Sequence, residues 1–436
     1  MKLGAAGGVL SSRGAWGWLA RVGGCRRWGA WWCGSWILAW AVQAEEWPQF
    51  LGPRRDGSST VVLEPERWPE GGPPLHWKKK VGQGFSSPIA AKGRVWLHHR
   101  LEGKEVVECW EAATGKREWI QSVEATYRDD HGFEEGPRAT PALEGDDLAT
   151  LGADGELQLL SARTGEVRWR KSARRDFGAG KGFFGFASSP LFTGGQVVFC
   201  LGGASGAGLV SLDRQSGVVV WKADVGEAGY ASPVFAGEGE SRRIACFNRS
   251  GLHWVEPGRG DVLARFSWRA RNPASVNAAT PLVAGSHVFI TASYETGAAW
   301  LKWPEGGRGD FKVSWSGDES LSAHYATPVL HQGHLYGFHG RQEQGAALRC
   351  VEAGTGRVLW ESERFGNGTL IRTPGHLMIL HERGELVVAP LKSDRFKPVR
   401  RFQMLGSGVR AGLAVTEKWM FARSLTEMVA LPLRVP

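Results

Sequence analysis

Apolar and polar residues alternate along this chain in short runs that read as strands. Val95, Leu97 and His99 oppose Trp96 and His98, residues 197–200 form a brief apolar stretch, and 157–160 lead straight into a turn. Runs of this length, rich in branched and aromatic residues and bounded by Gly, Asp and Ser, are the pattern of buried or half-buried strands. No stretch of a dozen residues keeps a helical period, and the 61 glycines also argue against helix-pair repeats. One unit shows the whole pattern, with predicted strands over 231–235, 243–247, 251–255 and 262–266 and a Pro257-Gly258-Arg259-Gly260 turn before the last.

The unit recurs. Ser-Pro or Thr-Pro dipeptides end at Pro88, Pro141, Pro190, Pro233, Pro281, Pro328 and Pro374, at gaps of 53, 49, 43, 48, 47 and 46 residues. A second marker, a Thr-Gly or Ser-Gly turn followed by tryptophan, keeps phase with it at Thr114-Gly115/Trp119, Thr164-Gly165/Trp169, Ser216-Gly217/Trp221 and Thr355-Gly356/Trp360. Four antiparallel strands repeated in tandem at this period make propeller blades. The predicted fold is therefore all-β, an eight-bladed β-propeller of four-stranded antiparallel blades, since the 392 residues from 45 to 436 hold eight such units. The last unit, from about Gly412, supplies only three strands. Residues 77–82 match the fourth strand at 221–226, so the N-terminal strand is predicted to complete the last blade and remove two sheet edges. The turn glycine supplies positive φ, and the tryptophan is expected to wedge between neighbouring blades as a core residue.

Composition changes this picture at the N-terminus. Residues 1–44 carry five basic and no acidic side chains, with an apolar run over 29–41 and Val42-Gln43-Ala44 after it. This reads as a signal peptide cut after Ala44, because a run of about 13 residues is too short for a membrane span of about 20. A periplasmic or secreted protein with no stable transmembrane anchor follows, with 45–74 as an N-terminal extension and 75–436 as the propeller. The formal charge of +9 falls to +4 beyond the leader, and no basic cluster interleaved with aromatics tracks phosphates, so nucleic acid is not an expected partner. Four cysteines remain, Cys109, Cys200, Cys246 and Cys350. Their repeated register predicts thiols held apart in different blades and buried as small hydrophobes. No Cys-x-x-Cys or Cys/His spacing suggests zinc, and no metal site is predicted.

The unit resembles the pyrroloquinoline-quinone (PQQ) type repeat of quinoprotein alcohol dehydrogenases and of the scaffold lipoprotein of outer-membrane barrel assembly. The opening Trp47-Pro48-Gln49-Phe50-Leu51-Gly52-Pro53-Arg54-Arg55-Asp56-Gly57, with Tyr230-Ala231-Ser232-Pro233 and Tyr336-Gly337-Phe338-His339-Gly340-Arg341, is similar to secreted PQQ-repeat-like proteins. The resemblance spans 47–436. Its dehydrogenase branch implies PQQ with calcium and an aspartate base, yet the sequence lacks the adjacent-cysteine pair and the haem-attachment motif of those enzymes. The favoured expectation is a non-catalytic, monomeric binding or scaffold protein for an extracytoplasmic protein or carbohydrate-like ligand, with no cofactor. The alternative is a PQQ-dependent oxidoreductase of the alcohol or sugar dehydrogenase type.

In a propeller the loops that precede the innermost strands ring one mouth of the channel. Residues two to four before each proline mark those loops, and the candidate ligand-binding set is Phe85, Arg138, Phe186, Tyr230, Asn277, His324, Tyr325, Arg372 and Arg410. Arginines among aromatics suit an acidic, planar or sugar-like ligand through bidentate hydrogen bonds and stacking. Two longer loops, the acidic 128–135 and the basic, glycine- and aromatic-rich 174–184, precede adjacent blades and should lie side by side as a binding lip. His324, His331, His334 and His339 do not make a shared metal site, because His331 and His334 belong to a hairpin turn away from the channel loop.

Overall fold

A computed structural model describes residues 45–269 and 277–435. The leader expected over 1–44 lies outside the described residues. Eight sheets of four antiparallel strands form the propeller. In the first blade the strands are Ile89–Ala91, Arg94–Leu101, Lys104–Glu111 and Arg117–Glu124, from the channel outward. The closing blade combines Ala414–Val415, Trp419–Arg423 and Glu427–Pro432 with the N-terminal strand Trp77–Lys80, in the register Trp77↔Ala430 to Lys80↔Glu427. The predicted blade count and closure both hold.

Neighbouring blades are fastened by tryptophan. In the outermost strand of one blade the indole lies flat on the turn glycine of the next: Trp77 on Gly115, Trp119 on Gly165, Trp169 on Gly217, Trp221 on Gly260 and Trp315 on Gly356. A Cβ at any of these glycines would come within 2.5–2.9 Å of the ring, so the glycine is needed for this approach as well as for its positive φ. The indole N–H then donates to a carbonyl of the same neighbour, from Trp77 to Ala112 (2.8 Å), Trp119 to Ala162 (3.0 Å), Trp221 to Pro257 (3.0 Å) and Trp315 to Ala353 (2.7 Å). A β-bulge follows the residue paired with Trp119, Trp169, Trp221 and Trp315, as at Ser211/Leu212 opposite Trp221, and turns the strand toward its neighbour. The fourth blade departs from this pattern. Ala264 stands at the tryptophan position, opposite Trp254, and Trp254 fills the gap by packing on Trp303 and Phe311 of the fifth blade.

The Ser/Thr-Pro marker has its own physical role. Around the channel, the backbone N–H of five successive marker residues donates to the hydroxyl of the next. Ser87 donates to Thr140 (3.0 Å), Thr140 to Ser189 (3.0 Å), Ser189 to Ser232 (2.9 Å), Ser232 to Thr280 (3.1 Å) and Thr280 to Thr327 (2.9 Å). Gly412 N–H returns to Ser87 Oγ at 2.8 Å. Proline follows because its position has no N–H to satisfy. In the seventh blade the marker misleads. Its innermost strand is Gly368–Arg372, so Thr373-Pro374 falls in the hairpin turn after that strand, and Thr369-Leu370 takes the marker's place.

The N-terminal extension enters the channel. Trp47 exchanges backbone hydrogen bonds with Ala90 (2.7 and 2.9 Å), Pro48 accepts from Leu143 N–H (2.8 Å), and Gly57 and Ser59 bracket Arg372 (2.8 Å each). The free edges of innermost strands in the first, second and seventh blades are thereby paired. Arg55 anchors the segment to the third blade. Its buried guanidinium donates to the carbonyls of Pro190 (2.6 Å) and Ser189 (3.1 Å) and to Gln49 Oε1 (3.1 Å), and burial pushes its pKa down to about 9.

The cysteines correct one expectation. All four are buried, but Cys200 and Cys246 are not held apart; their sulfurs lie 3.8 Å from one another.

The tryptophan clasp makes a testable prediction. Trp221→Ala should cost about 3–5 kcal/mol through the lost ring, and Gly260→Ala about 1–2 kcal/mol or more through its positive φ and the blocked approach. Because both break one contact, thermal denaturation of the double variant should show a loss at least about 1 kcal/mol smaller than the sum. Simple additivity would contradict the clasp.

Candidate functional site

At the mouth of the channel lies a cavity of about 520 Å³. Its inner side is formed by Trp47, Phe50 and Leu51 of the inserted N-terminal segment and by residues in or just before the innermost strands of several blades, including Leu370 and Ser189. Its rim carries Phe85, Phe133, Phe183, Phe184, Tyr230, Tyr294 and Tyr325, together with His131, His324, Arg138, Arg410, Glu343 and Glu382. An aromatic-rich, largely apolar concave wall with a few converging charged groups is the usual composition of a small-molecule site.

Six of the nine expected residues meet there: Phe85, Arg138, Tyr230, His324, Tyr325 and Arg410. The other three do not. Phe186 is buried between the second and third blades, its ring against Gly155. Two residues earlier, Phe184 takes the place at the cavity that was expected of it. Asn277 is buried with φ 45°; its carbonyl accepts from the N–H groups of Tyr230 (3.2 Å) and Ala231 (3.1 Å), and its amide donates to the carbonyls of Asn248 (2.7 Å) and Trp268 (2.9 Å). It fastens the Tyr230 loop and does not line the cavity. Arg372 was expected at the mouth because of Pro374. It ends the innermost strand of the seventh blade and holds residues 57–59 of the N-terminal segment.

The two long loops do lie together. Lys181 Nζ reaches Asp130 Oδ1 at 2.7 Å, and His131 packs against Phe183 and Phe184 at ring separations of 6.1 and 5.5 Å. Asp129 accepts backbone N–H groups of its own loop, from Phe133 (2.6 Å) and Glu134 (3.0 Å), and these bonds hold its carboxyl below the usual value against the opposing effect of burial. Tyr230 Oη accepts from Phe184 N–H at 2.8 Å and fixes the aromatic lip over the third blade.

Phe85 lies between two guanidinium groups, with Arg138 Cζ 5.5 Å and Arg410 Cζ 5.1 Å from the ring centre. The two arginines differ in what else they touch. Arg410 Nε is 3.3 Å from Glu382 Oε1, which also accepts from Tyr325 Oη (2.7 Å) and Gln342 Nε2 (2.8 Å). Arg138 also stacks on Phe184 (5.5 Å) and donates through Nη2 to the Glu134 carbonyl (3.1 Å). Asp129 and Glu134 act on its charge only at longer range, without an ion pair among the described residues, and its Nη1 is buried without an acceptor. Burial, and then the charge of Glu382, push the Tyr325 hydroxyl well above its ordinary pKa, so this group donates a hydrogen bond at neutral pH. His324 Nδ1 is also buried without a partner. Burial, reinforced by Arg410 and Arg341 against Glu343 and Glu382, lowers its pKa and keeps the ring neutral.

A family model described as Outer membrane protein assembly factor BamB matches residues 69–237 and 103–362. No curated protein matches the sequence. Among solved structures, the fold is similar to BamB from Moraxella catarrhalis (TM-score 0.59, 15% identity, 82% of this chain and 97% of that one). It is similar also to the quinohemoprotein alcohol dehydrogenase of Comamonas testosteroni (TM-score 0.64, 11% identity, 90% and 82%) and to a europium-containing methanol dehydrogenase (TM-score 0.65, 9% identity, 88% and 90%). At these identities the likeness concerns the fold. Among the described residues no helix is long and apolar enough to cross a membrane.

The buried neutral histidines set a pH dependence. For His324, and for His253 whose pKa is pushed down to about 4, the folded value lies below the 6.5 of the free group. Their contribution to stability is complete above pH 6.5 and is lost as pH falls through the lowered values. The unfolding midpoint of His253→Gln should therefore drop less than that of the parent chain between pH 6.5 and 4, measured by thermal melts; parallel curves would contradict the assignment.

Proposed function

The chain belongs to the family described as outer membrane protein assembly factor BamB, and from that premise we propose that it is a non-catalytic binding protein of the cell envelope. Its ligand is a ring-shaped, carbohydrate-like acid, or a group of that chemistry carried on a larger molecule. The observation that carries this reading is Arg138. A guanidinium held between two aromatic rings, with a buried donor left unsatisfied, costs about 1–3 kcal/mol, and a ligand carboxylate would recover that energy. The aromatic rim offers faces on which a sugar or flat ring can stack. Arg410, already paired with Glu382, positions Phe85 and Tyr325.

The donor set favours binding over a PQQ-dependent oxidoreductase. Calcium takes six to eight oxygen ligands with carboxylates among them. The carboxylates at the cavity are Glu343 and Glu382, and Glu382 Oε1 already faces a tyrosine hydroxyl, an amide and a guanidinium. Among the described residues, no three His, Cys, Asp or Glu side chains come together in a way that would hold a metal ion. These residues do not fit a quinone–calcium centre.

Calorimetric titration with galacturonate and with neutral galactose tests the reading. Binding of the acid should exceed that of the neutral sugar. Arg138→Gln should weaken it by about 10-fold or more, the loss of one charge-assisted hydrogen bond, with the unfolding midpoint little changed. Equal affinity for both sugars, or dye reduction on adding PQQ and calcium, would overturn it.

A further inference from the structure

We propose that Cys200 and Cys246 are a disulfide-forming pair that staples the third blade to the fourth beneath the Tyr230 side of the cavity. The two residues occupy second strands of adjacent blades, Gln196–Cys200 and Arg243–Asn248. The strand registers align Val198 with Ala245, since each pairs with the residue after its marker proline, Leu191 or Val234. Cys200 is therefore one position beyond the equivalent of Cys246. In a strand that single step reverses the face. Cys200 points forward into the gap between the blades and Cys246 points back into the same gap, where both pack with Val198, Ile244 and Trp221. Cys109 and Cys350 sit opposite the tryptophans of the first and sixth blades and have no such counterpart.

The sulfurs are 3.8 Å apart, and the pair joins residues 46 positions apart in sequence. The Cys246 thiol donates to Cys200 Sγ, and the Gly229 N–H also points at Cys200, so these hydrogen bonds hold Cys200 below the usual thiol pKa against burial while Cys246 is raised. Cys200 also lines a small void beneath the loop around Phe183 that Cys246 does not line, so Cys200 is the attacking sulfur. Its thiolate attacks one sulfur of an oxidising disulfide, expelling one thiol and forming a mixed disulfide. The Cys246 thiolate then attacks Cys200 Sγ and expels the second thiol. Two protons and two electrons leave the pair, and the oxidant becomes two thiols. A void of about 30 Å³ reaches Cys200 from beneath the loop around Phe183, between Gly229 and Tyr230.

Peptide mapping of the purified protein after equilibration with oxidised glutathione, alkylated in denaturant without reductant, tests this. A single cross-linked peptide joining Cys200 to Cys246 is expected, with Cys109 and Cys350 recovered alkylated. A reductant should lower the thermal midpoint by about 5 °C, the size expected for opening a loop of this length, and should not move that of Cys200→Ser/Cys246→Ala. Recovery of Cys200 and Cys246 as alkylated thiols, or glutathione left on either one, would overturn the proposal.

Discussion

The propeller depends on one repeated contact, an indole lying on a glycine that has no Cβ to keep it away. A four-stranded blade cannot bury both of its faces alone, and each gap between blades must be filled by side chains that fit one neighbour. The tryptophan covers the gap, its N–H ties the ring to the neighbour's turn, and the bulge before it sets its direction. Trp77 makes the same contact from the other end of the chain, so closing the ring uses the same chemistry as building it.

The channel is organised by a second set of bonds. Backbone-to-hydroxyl hydrogen bonds link the starts of the innermost strands from Gly412 through Ser87 to Thr327, holding the mouth loops at a fixed spacing. The N-terminal segment then pairs with strand edges inside the ring, and Trp47, Phe50 and Leu51 become the inner wall of a cavity. A tube open at both ends would offer a ligand little enclosure. Closed on one side by an inserted segment, it has the shape in which Arg138, Phe85 and Tyr325 act on one bound molecule.

Most of this architecture was legible because the contacts that build it need particular residue types at fixed spacing. Glycine beneath tryptophan and hydroxyl before proline are visible as repeats, and Trp77 announced the closure. The misreadings came from places where the marker and its physical role part. Pro374 occurs in a hairpin turn, so the mouth position inferred from it for Arg372 was one strand-length away. Phe184 and Phe186 differ by two residues in an irregular loop, and which one faces the cavity is decided by the Tyr230 hydrogen bond and by packing on Gly155. Asn277 had the right sequence position, but its side chain is used to hold backbone carbonyls. The function of the Trp47–Gly57 motif was hidden altogether, because its partners are strand edges far away in sequence.

The cavity depends on that segment being part of the folded ring, since without it there is no inner wall. Hydrogen exchange at the amides it covers is the direct measurement. The N–H groups of Ala90, Leu143 and Arg372 each donate to the segment's carbonyls. They should exchange as slowly as amides in the middle of the blades, such as Phe199 and Leu212. Exchange at the rate of exposed loop amides would show that the segment does not occupy the channel.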